Sequence, residues 1–301
     1  MNKNTPVAIV AFNRPKHLEG LLESLIRNKE HKDTKLYFFI DRYLNLKDKE
    51  NNSKVISVCQ KDWGFKDQEI IINKTNLGLK KQILKTGNYL STYHDSFILL
   101  EDDLLVGEYF LDFMNSSLKV YKDYDNVFHI SGYNFNKLIS RKNKSYFTKL
   151  VHPWGWATWS DKWLSFTNSA EFDKNFIKDL NKKNQKKFNF SNLASYTGQL
   201  EKNENNLIST WAVFWYQHIF LSNGYAVIPG KSLTKNIGFD GSGVNSGKNK
   251  NYLTELNNGK ITEYPEKINN FNTALVDNYI WHFKYKLKDF FEYHTINKFK
   301  K

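Results

Sequence analysis

The first hundred residues switch between two hydrophobic rhythms. Four short apolar runs are each bounded by polar residues and read as buried strands. They are Val7-Ala8-Ile9-Val10-Ala11-Phe12, Leu36-Tyr37-Phe38-Phe39-Ile40, Glu69-Ile70-Ile71-Ile72 and Phe97-Ile98-Leu99-Leu100. Between them the spacing is helical. Leu18, Leu21, Leu22, Leu25 and Ile26 recur every three or four residues behind Pro15. Proline suits a first helical turn, where its missing N–H has no partner in any case. A polar helix is expected over 47–61, and another from Gly78 to about Tyr93. Strand and helix thus alternate four times over 1–105. That alternation predicts a parallel, doubly wound sheet with right-handed crossovers.

The later pattern is less regular. A helix is expected from about Glu108 to Asp123, then a strand and turn over Val127 to Gly132. Residues 136–146, with Lys137, Arg141, Lys142 and Lys144, read as an exposed loop, and 171–206 as a polar segment of helices or an insertion. Trp211, Phe214, Trp215, His218 and Ile219 mark an apolar helix, and Gly224 to Pro229 a strand. The Gly-rich stretch Asn236 to Gly243 suits a closing lid or a plain surface loop. At the end, Ile280, Phe283, Leu287, Phe290 and Phe291 share a helical face beside Lys284, Lys286 and Lys288. Such a helix either lies on an anionic membrane surface or packs on the domain.

In a sheet of this kind, ligands gather at the strand C-termini. The residues expected there are Ala11-Phe12-Asn13-Arg14, Asp41, Asn73 to Gly78, and Glu101-Asp102-Asp103. Three adjacent carboxylates repel one another, and a hard divalent cation such as Mg²⁺ or Mn²⁺ relieves that repulsion. A nucleotide suits the other groups. Asn13 and the backbone can read a base edge, and Asp41 can accept from a base N–H or a ribose hydroxyl. Arg14, Lys80, Lys81 and the helix start at Gly78 can meet phosphate. Asp41 reads equally well as a helix N-cap, and Gly78 as a turn glycine. In His152-Pro153-Trp154-Gly155-Trp156-Ala157-Thr158-Trp159-Ser160-Asp161-Lys162-Trp163, four indoles fall within ten residues. They form either a platform for a sugar ring or an aromatic core.

Composition narrows the classes. One cysteine, Cys59, excludes a disulfide framework and a thiolate zinc site, which fits a reducing cytoplasm. No signal-peptide pattern is present, and no apolar run approaches the roughly 18–20 residues that cross a bilayer. The expected location is therefore cytoplasmic, with the inner face of the cytoplasmic membrane as a further possibility. The net charge of +13 favours anionic partners or serves solubility alone. No G-x-G-x-x-G follows the first strand, and no P-loop pattern occurs.

Taken in order, several of these stretches resemble a GT-A-fold glycosyltransferase. They are Ala11-Phe12-Asn13-Arg14-Pro15, Asn76-Leu77-Gly78, Leu100-Glu101-Asp102-Asp103, the Trp154 to Trp159 run and Asn236-Ile237-Gly238-Phe239-Asp240. The Glu-Asp-Asp form is similar to the motif of the N-acetylglucosaminyltransferase I type. The series as a whole resembles bacterial family 2-like sugar transferases that build surface polysaccharides. The resemblance implies a Rossmann-like α/β fold, with a mixed, mainly parallel sheet flanked by helices. It divides the chain into a nucleotide-sugar half over 1–105, an acceptor half over 106–248 and a basic helical extension over 249–301. It implies that Asp103 binds Mn²⁺ or Mg²⁺ bridging the donor diphosphate, that Asp102 approaches the ribose, and that Glu101 approaches the sugar or nucleotide. It places Asp41 and residues 11–14 at the base, and Trp156 by the donor sugar or the acceptor. Asn76, Gly78 and Lys81 complete the nucleotide-sugar set. Glu204 and Asp240 are the candidate catalytic carboxylates. Asn245 stands where related sequences carry a histidine, and its amide oxygen can coordinate a metal. The implied activity is inverting transfer from a nucleotide-diphospho-sugar, with UDP the expected nucleotide, to a lipid-linked or free surface glycan, with no nucleic-acid partner. A nucleotidyltransferase acting on a sugar phosphate and a non-catalytic carbohydrate-binding module are the alternatives.

Overall fold

The computed structural model describes residues 4–134, 142–168, 176–190, 192, 194–241 and 254–267. Among these, the strands are β1 (Val7–Ala11), β2 (Lys35–Ile40), β3 (Asp67–Ile72), β4 (Ser96–Glu101), β5 (Leu104–Val106), β6 (Val127–Ser131), β7 (Ser145–Thr148), β8 (Trp156–Trp159), β9 (Tyr225–Pro229) and β10 (Thr234–Asn236). The helices are α1 (Pro15–Leu25), α2 (Leu46–Cys59), α3 (Gly78–Tyr93), α4 (Phe110–Val120), α5 (Ser160–Asn168), α6 (Phe176–Asp179), α7 (Lys182–Phe188), α8 (Tyr196–Glu204) and α9 (Ala212–Leu221).

Eight strands form one sheet in the order β3-β2-β1-β4-β8-β6-β9-β7. β3, β2, β1 and β4 are parallel, and β8 runs against both β4 and β6. β9 is parallel to β6, and β7 runs against β9. The sheet is therefore mixed and mainly parallel, with helices on both faces, as the resemblance implies, and the parallel part is the one that the alternation over 1–105 predicts.

The strands read as continuous apolar runs because both faces are covered. Their side chains alternate between two cores. Val7, Ile9, Leu36, Phe38, Ile98 and Leu100 pack with Leu18, Leu21 and Leu22 of α1, Val55 of α2, and Phe110 and Met114 of α4. Ala8, Val10, Tyr37, Phe39, Phe97 and Leu99 pack with Ile83 and Leu90 of α3, Trp163 of α5 and Trp215 of α9. Burying each such Leu, Ile or Phe contributes about 1.5–3 kcal/mol.

The structure changes or decides the reading of three segments. Residues 145–148 form edge strand β7, with all four residues buried, where an exposed loop is expected up to 146. The lysines before it mask a strand of only four residues. Trp156 to Trp159 form β8 inside the sheet, with Trp156 opposite Leu99 and Trp159 opposite Ser96. In the expected basic helical extension, the described residues 254–267 contain no helix. They run against the body, with the Ser145 N–H donating to the Glu263 carbonyl at 2.9 Å and Ile261 buried. The amphipathic tail helix and Asn245 lie outside the described residues.

Topology also fixes which loops share an edge. The links after β1, β2, β3 and β4 leave at the C-terminal end of the parallel strands. α9 leads into β9 from the opposite end. Its start therefore lies on the same edge as those links, where Trp211 stacks on Trp156 at 5.3 Å.

Candidate active site

The acidic triplet begins where β4 leaves the sheet. Val10 of β1 pairs with Glu101, and the Asp102 N–H still reaches the Val10 carbonyl at 3.1 Å. Beyond that point both strands diverge, and the end of β1 turns back over the acids. The Phe12 N–H donates to Asp102 Oδ2 at 3.4 Å. The Arg14 guanidinium bridges both aspartates, bonding Asp102 Oδ1 through Nη2 and Asp103 Oδ2 through Nη1, the latter at 2.9 Å. Planar two-pronged pairing of this kind is what arginine does better than lysine.

The electrostatics follow from burial. Asp102 and Asp103 are both buried. Burial pushes the Glu101 carboxyl up to about 8, Asp103 and Asp102 add to the rise, and Arg14 opposes it. Burial likewise raises Asp102 to about 6 against the pull of Arg14. Burial works against the charge of Arg14, yet the two carboxylates more than offset it and hold the guanidinium above its usual range. One oxygen stands out. Asp103 Oδ1 is buried and has no hydrogen-bond partner, an arrangement that is costly unless a cation or donor meets it.

The late loop closes over the same acid. The Ile237 N–H donates to the Asp103 carbonyl at 2.8 Å, and the Gly238 N–H to Asn236 Oδ1 at 2.8 Å. A side chain at Gly238 would place its Cβ 2.0 Å from Asp103 Oδ2, so only glycine permits this approach. Two residues on, Asp240 Oδ2 lies 3.2 Å from His17 Nε2 of α1. The β5–β10 ribbon, Leu104 to Val106 against Thr234 to Asn236, fastens this loop to the residues that follow the triplet.

The neighbouring strand ends are built from one polar network. Asp41, after β2, accepts from the N–H groups of Leu77 (2.9 Å) and Gly78 (2.9 Å), and so caps α3 from outside the helix. It also accepts from Asn73 Nδ2 at 3.0 Å. Gly78 has φ +73 with open space around it, so glycine is required by conformation and not by crowding. Asn76 Nδ2 donates to the Arg42 carbonyl at 2.6 Å, and Asn13 Nδ2 to Asp48 Oδ1 at 2.8 Å. Asn52 of α2 ties the Phe12 and Asp41 carbonyls together at 2.6 and 2.8 Å.

The structure brings together Ala11, Phe12, Asn13, Arg14, Asp41, Asn76, Gly78, Glu101, Asp102, Asp103 and Asp240 on one edge. Lys81 is exposed on the first turn of α3, and Lys80 lies over the Phe214 ring at 4.0 Å. Glu204 is exposed at the end of α8. Trp156 does not belong to the set. It is fully buried, stacked between His129 at 5.3 Å and Trp211 at 5.3 Å, so the expectation that it meets a sugar is corrected. Trp163 is equally buried. Trp154 is half-buried and borders the late loop, edge-on to Phe239 at 5.6 Å. Sequence reasoning did not single out Asp48, Asn52 or His17, and it named Gly238 only within the Asn236 to Asp240 run. Only Gly238 carries a signal, as a glycine in a loop that returns to the acids.

For a divalent cation, the fit is confined to Asp103. Among the described residues, no three His, Cys, Asp or Glu side chains cluster to hold a metal ion. Asp103 Oδ1 is the carboxylate oxygen left open in the pair that Arg14 bridges.

No family model and no curated protein matches this chain. Among solved structures, the chain is similar to the S. aureus TarS 1-349 crystal structure, with a TM-score of 0.42 and 10% sequence identity. The match covers 75% of this chain and 58% of that one, so this chain spans little more than half of that length. A functional reading therefore rests on this chain's own residues.

Proposed function

We propose that this protein is an inverting glycosyltransferase. It binds a nucleotide-diphospho-sugar, a UDP-sugar in the first instance, at the C-terminal edge of the parallel strands. It moves the sugar to a hydroxyl of a bacterial surface glycan. The observation that supports this most is Asp103, buried with one oxygen unpartnered and the other on Arg14, at the meeting point of β1, β4 and the late loop. An unpartnered carboxylate oxygen held there would suit a cation, and a leaving diphosphate needs concentrated positive charge.

The residues divide the work. Arg14 uses two of its five N–H groups on Asp102 and Asp103, and others would donate to phosphate oxygens. The Phe12–Asn13 backbone faces the base, and Asp41 fixes the Asn76 to Gly78 turn that borders it. Glu101 and Asp102 face the ribose and the sugar. Asp240, with His17 beside it, takes the proton of the acceptor hydroxyl. That oxygen attacks the anomeric carbon from the face opposite the phosphate. The bond to the diphosphate oxygen then breaks, inverting the configuration. Asp103 would hold a Mn²⁺ or Mg²⁺ ion whose charge would further stabilise the diphosphate.

Binding and chemistry are tested separately. A donor at about a hundred times its Kd stabilises a native protein by about 2.7 kcal/mol. A screen of nucleotide-sugars with Mn²⁺ is expected to raise the melting temperature of the wild type, and Asp103→Asn is expected to abolish the cation-dependent part of that rise. No nucleotide-dependent shift in the wild type would overturn the reading. Release of nucleoside diphosphate supports transfer, whereas release of pyrophosphate would identify a nucleotidyltransferase instead.

A further inference from the structure

The three most exposed large apolar residues among those described are Leu46 at 81%, Leu207 at 72% and Leu44 at 71%. They come from two distant parts of the chain. Leu44 and Leu46 lie in the link from β2 to α2 and at the start of α2, and Leu207 in the link from α8 to α9. All three nevertheless project from one edge, the edge that carries Arg14 and the acids. The exposed residues Tyr93 and Leu221, at the opposite ends of α3 and α9, are the next in rank.

The leucines beside β2 are set among cations. Arg42 lies on the Tyr43 ring at 4.4 Å, and Lys47, Lys49 and Lys74 are exposed. Among the described residues, none of these four forms an ion pair with a carboxylate. The local acids are otherwise engaged, Asp48 with Asn13 at 2.8 Å and Glu50 with Lys54 at 2.6 Å. The loop that carries Lys74 is tied to this rim through Asn76 and the Arg42 carbonyl. Three exposed lysines without a carboxylate partner count against a protein interface, where lysine is depleted. The same set suits the headgroup layer of an anionic bilayer, where apolar tips insert shallowly and cations meet lipid phosphates. No helix among the described residues is long and apolar enough to cross a membrane, so such contact would be interfacial.

The geometry points to the active-site edge as a membrane-docking surface. Leu44, Leu46 and Leu207 enter the headgroup region, and Arg42, Lys47, Lys49 and Lys74 engage anionic lipid. The edge then faces the bilayer, and an acceptor anchored there reaches it without leaving the membrane. The docking itself does not depend on the transferase reading.

The test uses the full chain and needs no donor. Sedimentation is measured with phosphatidylcholine vesicles, with and without about one-third phosphatidylglycerol. Wild type is expected to partition onto the anionic vesicles and to release at high salt, where the lysine contribution is screened. Leu44→Ser combined with Leu46→Ser and Leu207→Ser is expected to weaken partitioning about tenfold or more. The chain's single cysteine, Cys59, is fully buried, so a thiol introduced as Leu44→Cys or Leu207→Cys can be labelled selectively. An environment-sensitive dye at either position is expected to shift to the blue on anionic vesicles only. Absence of vesicle binding would overturn the proposal. So would binding without a dye response, which would place the contact elsewhere on the chain. A dye response that tracks protein concentration without vesicles would also overturn it and name a second copy as the occupant. Failure of vesicle binding leaves the nucleotide-dependent melting shift intact, and loss of that shift leaves vesicle binding intact.

Discussion

Trp156 and Glu101 sit on neighbouring strands, two residues apart in register, and meet opposite conditions. Trp156 pairs with Leu99 in the middle of the sheet and is enclosed by His129, Trp211, Trp215, Trp163 and Phe97. Glu101 lies two residues beyond Leu99 on the same face of β4. There the strand ends and the sheet opens onto Arg14 and Asp103. Indoles and carboxylates both have binding chemistry. In the ring-packed region the groups are turned on one another. At the strand edge the carboxylates crowd one another around Arg14, with one Asp103 oxygen left unmatched, as the Trp156 indole N–H is among the rings. Register, more than residue type, separates scaffold from site.

The largest effect that would break this division is expected from Trp156→Ala. Removing a fully buried indole costs about 3–5 kcal/mol, read as a fall in denaturation midpoint. Below its melting temperature the variant should still show the nucleotide-dependent melting shift of the wild type. Loss of that shift in folded protein would return Trp156 to the binding surface.

Arg14→Gln sharpens the division from the other side. It leaves Asp102 and Asp103 buried without their counter-charge, at a cost of about 3 kcal/mol, toward the lower end for a buried pair because Arg14 is partly exposed. Here the nucleotide-dependent shift should vanish together with part of the stability. Donor binding that survives in Arg14→Gln would remove the guanidinium from the proposed diphosphate site.

Much of this was legible in the chain because strand runs and helical spacing are local signals. The four apolar runs fix β1 to β4, and the polar residues that end them fall on one edge by topology alone. Arg14, Asp41 and the triplet follow directly. The Trp-rich run was ambiguous in principle, since its spacing suits a platform as well as a strand, and only pairing with Leu99 decides. Asp41 had two readings, and its carboxylate is taken up by the Leu77 and Gly78 N–H groups. β5 and β10 have three residues each and no periodicity to read, so the ribbon that brings Gly238 onto Asp103 could not be seen. His17, Asp48 and Asn52 lie on helices whose polar positions look alike until the fold selects one face.

The two regions should also titrate with opposite signs, which gives the finest test. His129 is fully buried and neutral. Its Nε2–H donates to the His152 carbonyl at 3.2 Å, and its Nδ1 accepts from Trp215 Nε1 at 3.2 Å. Burial lowers it from 6.5 to about 3, and the bond to His152 opposes that fall only in part. A depressed folded pKa means that the unfolded chain binds the extra proton first. This contribution to stability is therefore present above about 6.5 and is lost as the pH falls toward 3. Glu101 is the reverse case. Its folded pKa is raised from 4.5 to about 8, so its contribution is complete below about 4.5 and is lost as the pH rises through 8. Each proton can tilt the unfolding free energy by at most about 1.4 kcal/mol per pH unit. Between about 4.5 and 6.5 the two slopes oppose one another, and Asp102, raised to about 6, opposes that of His129 further. In denaturant unfolding without added cation, the alkaline limb is therefore expected between about pH 6.5 and 8 and the acid limb only toward pH 3. His129→Gln is expected to flatten the acid limb and leave the alkaline limb alone. Glu101→Gln is expected to flatten the alkaline limb and leave the acid limb alone. One variant flattening both limbs would mean that core and edge titrate as a single unit, and the division drawn between Trp156 and Glu101 would fail.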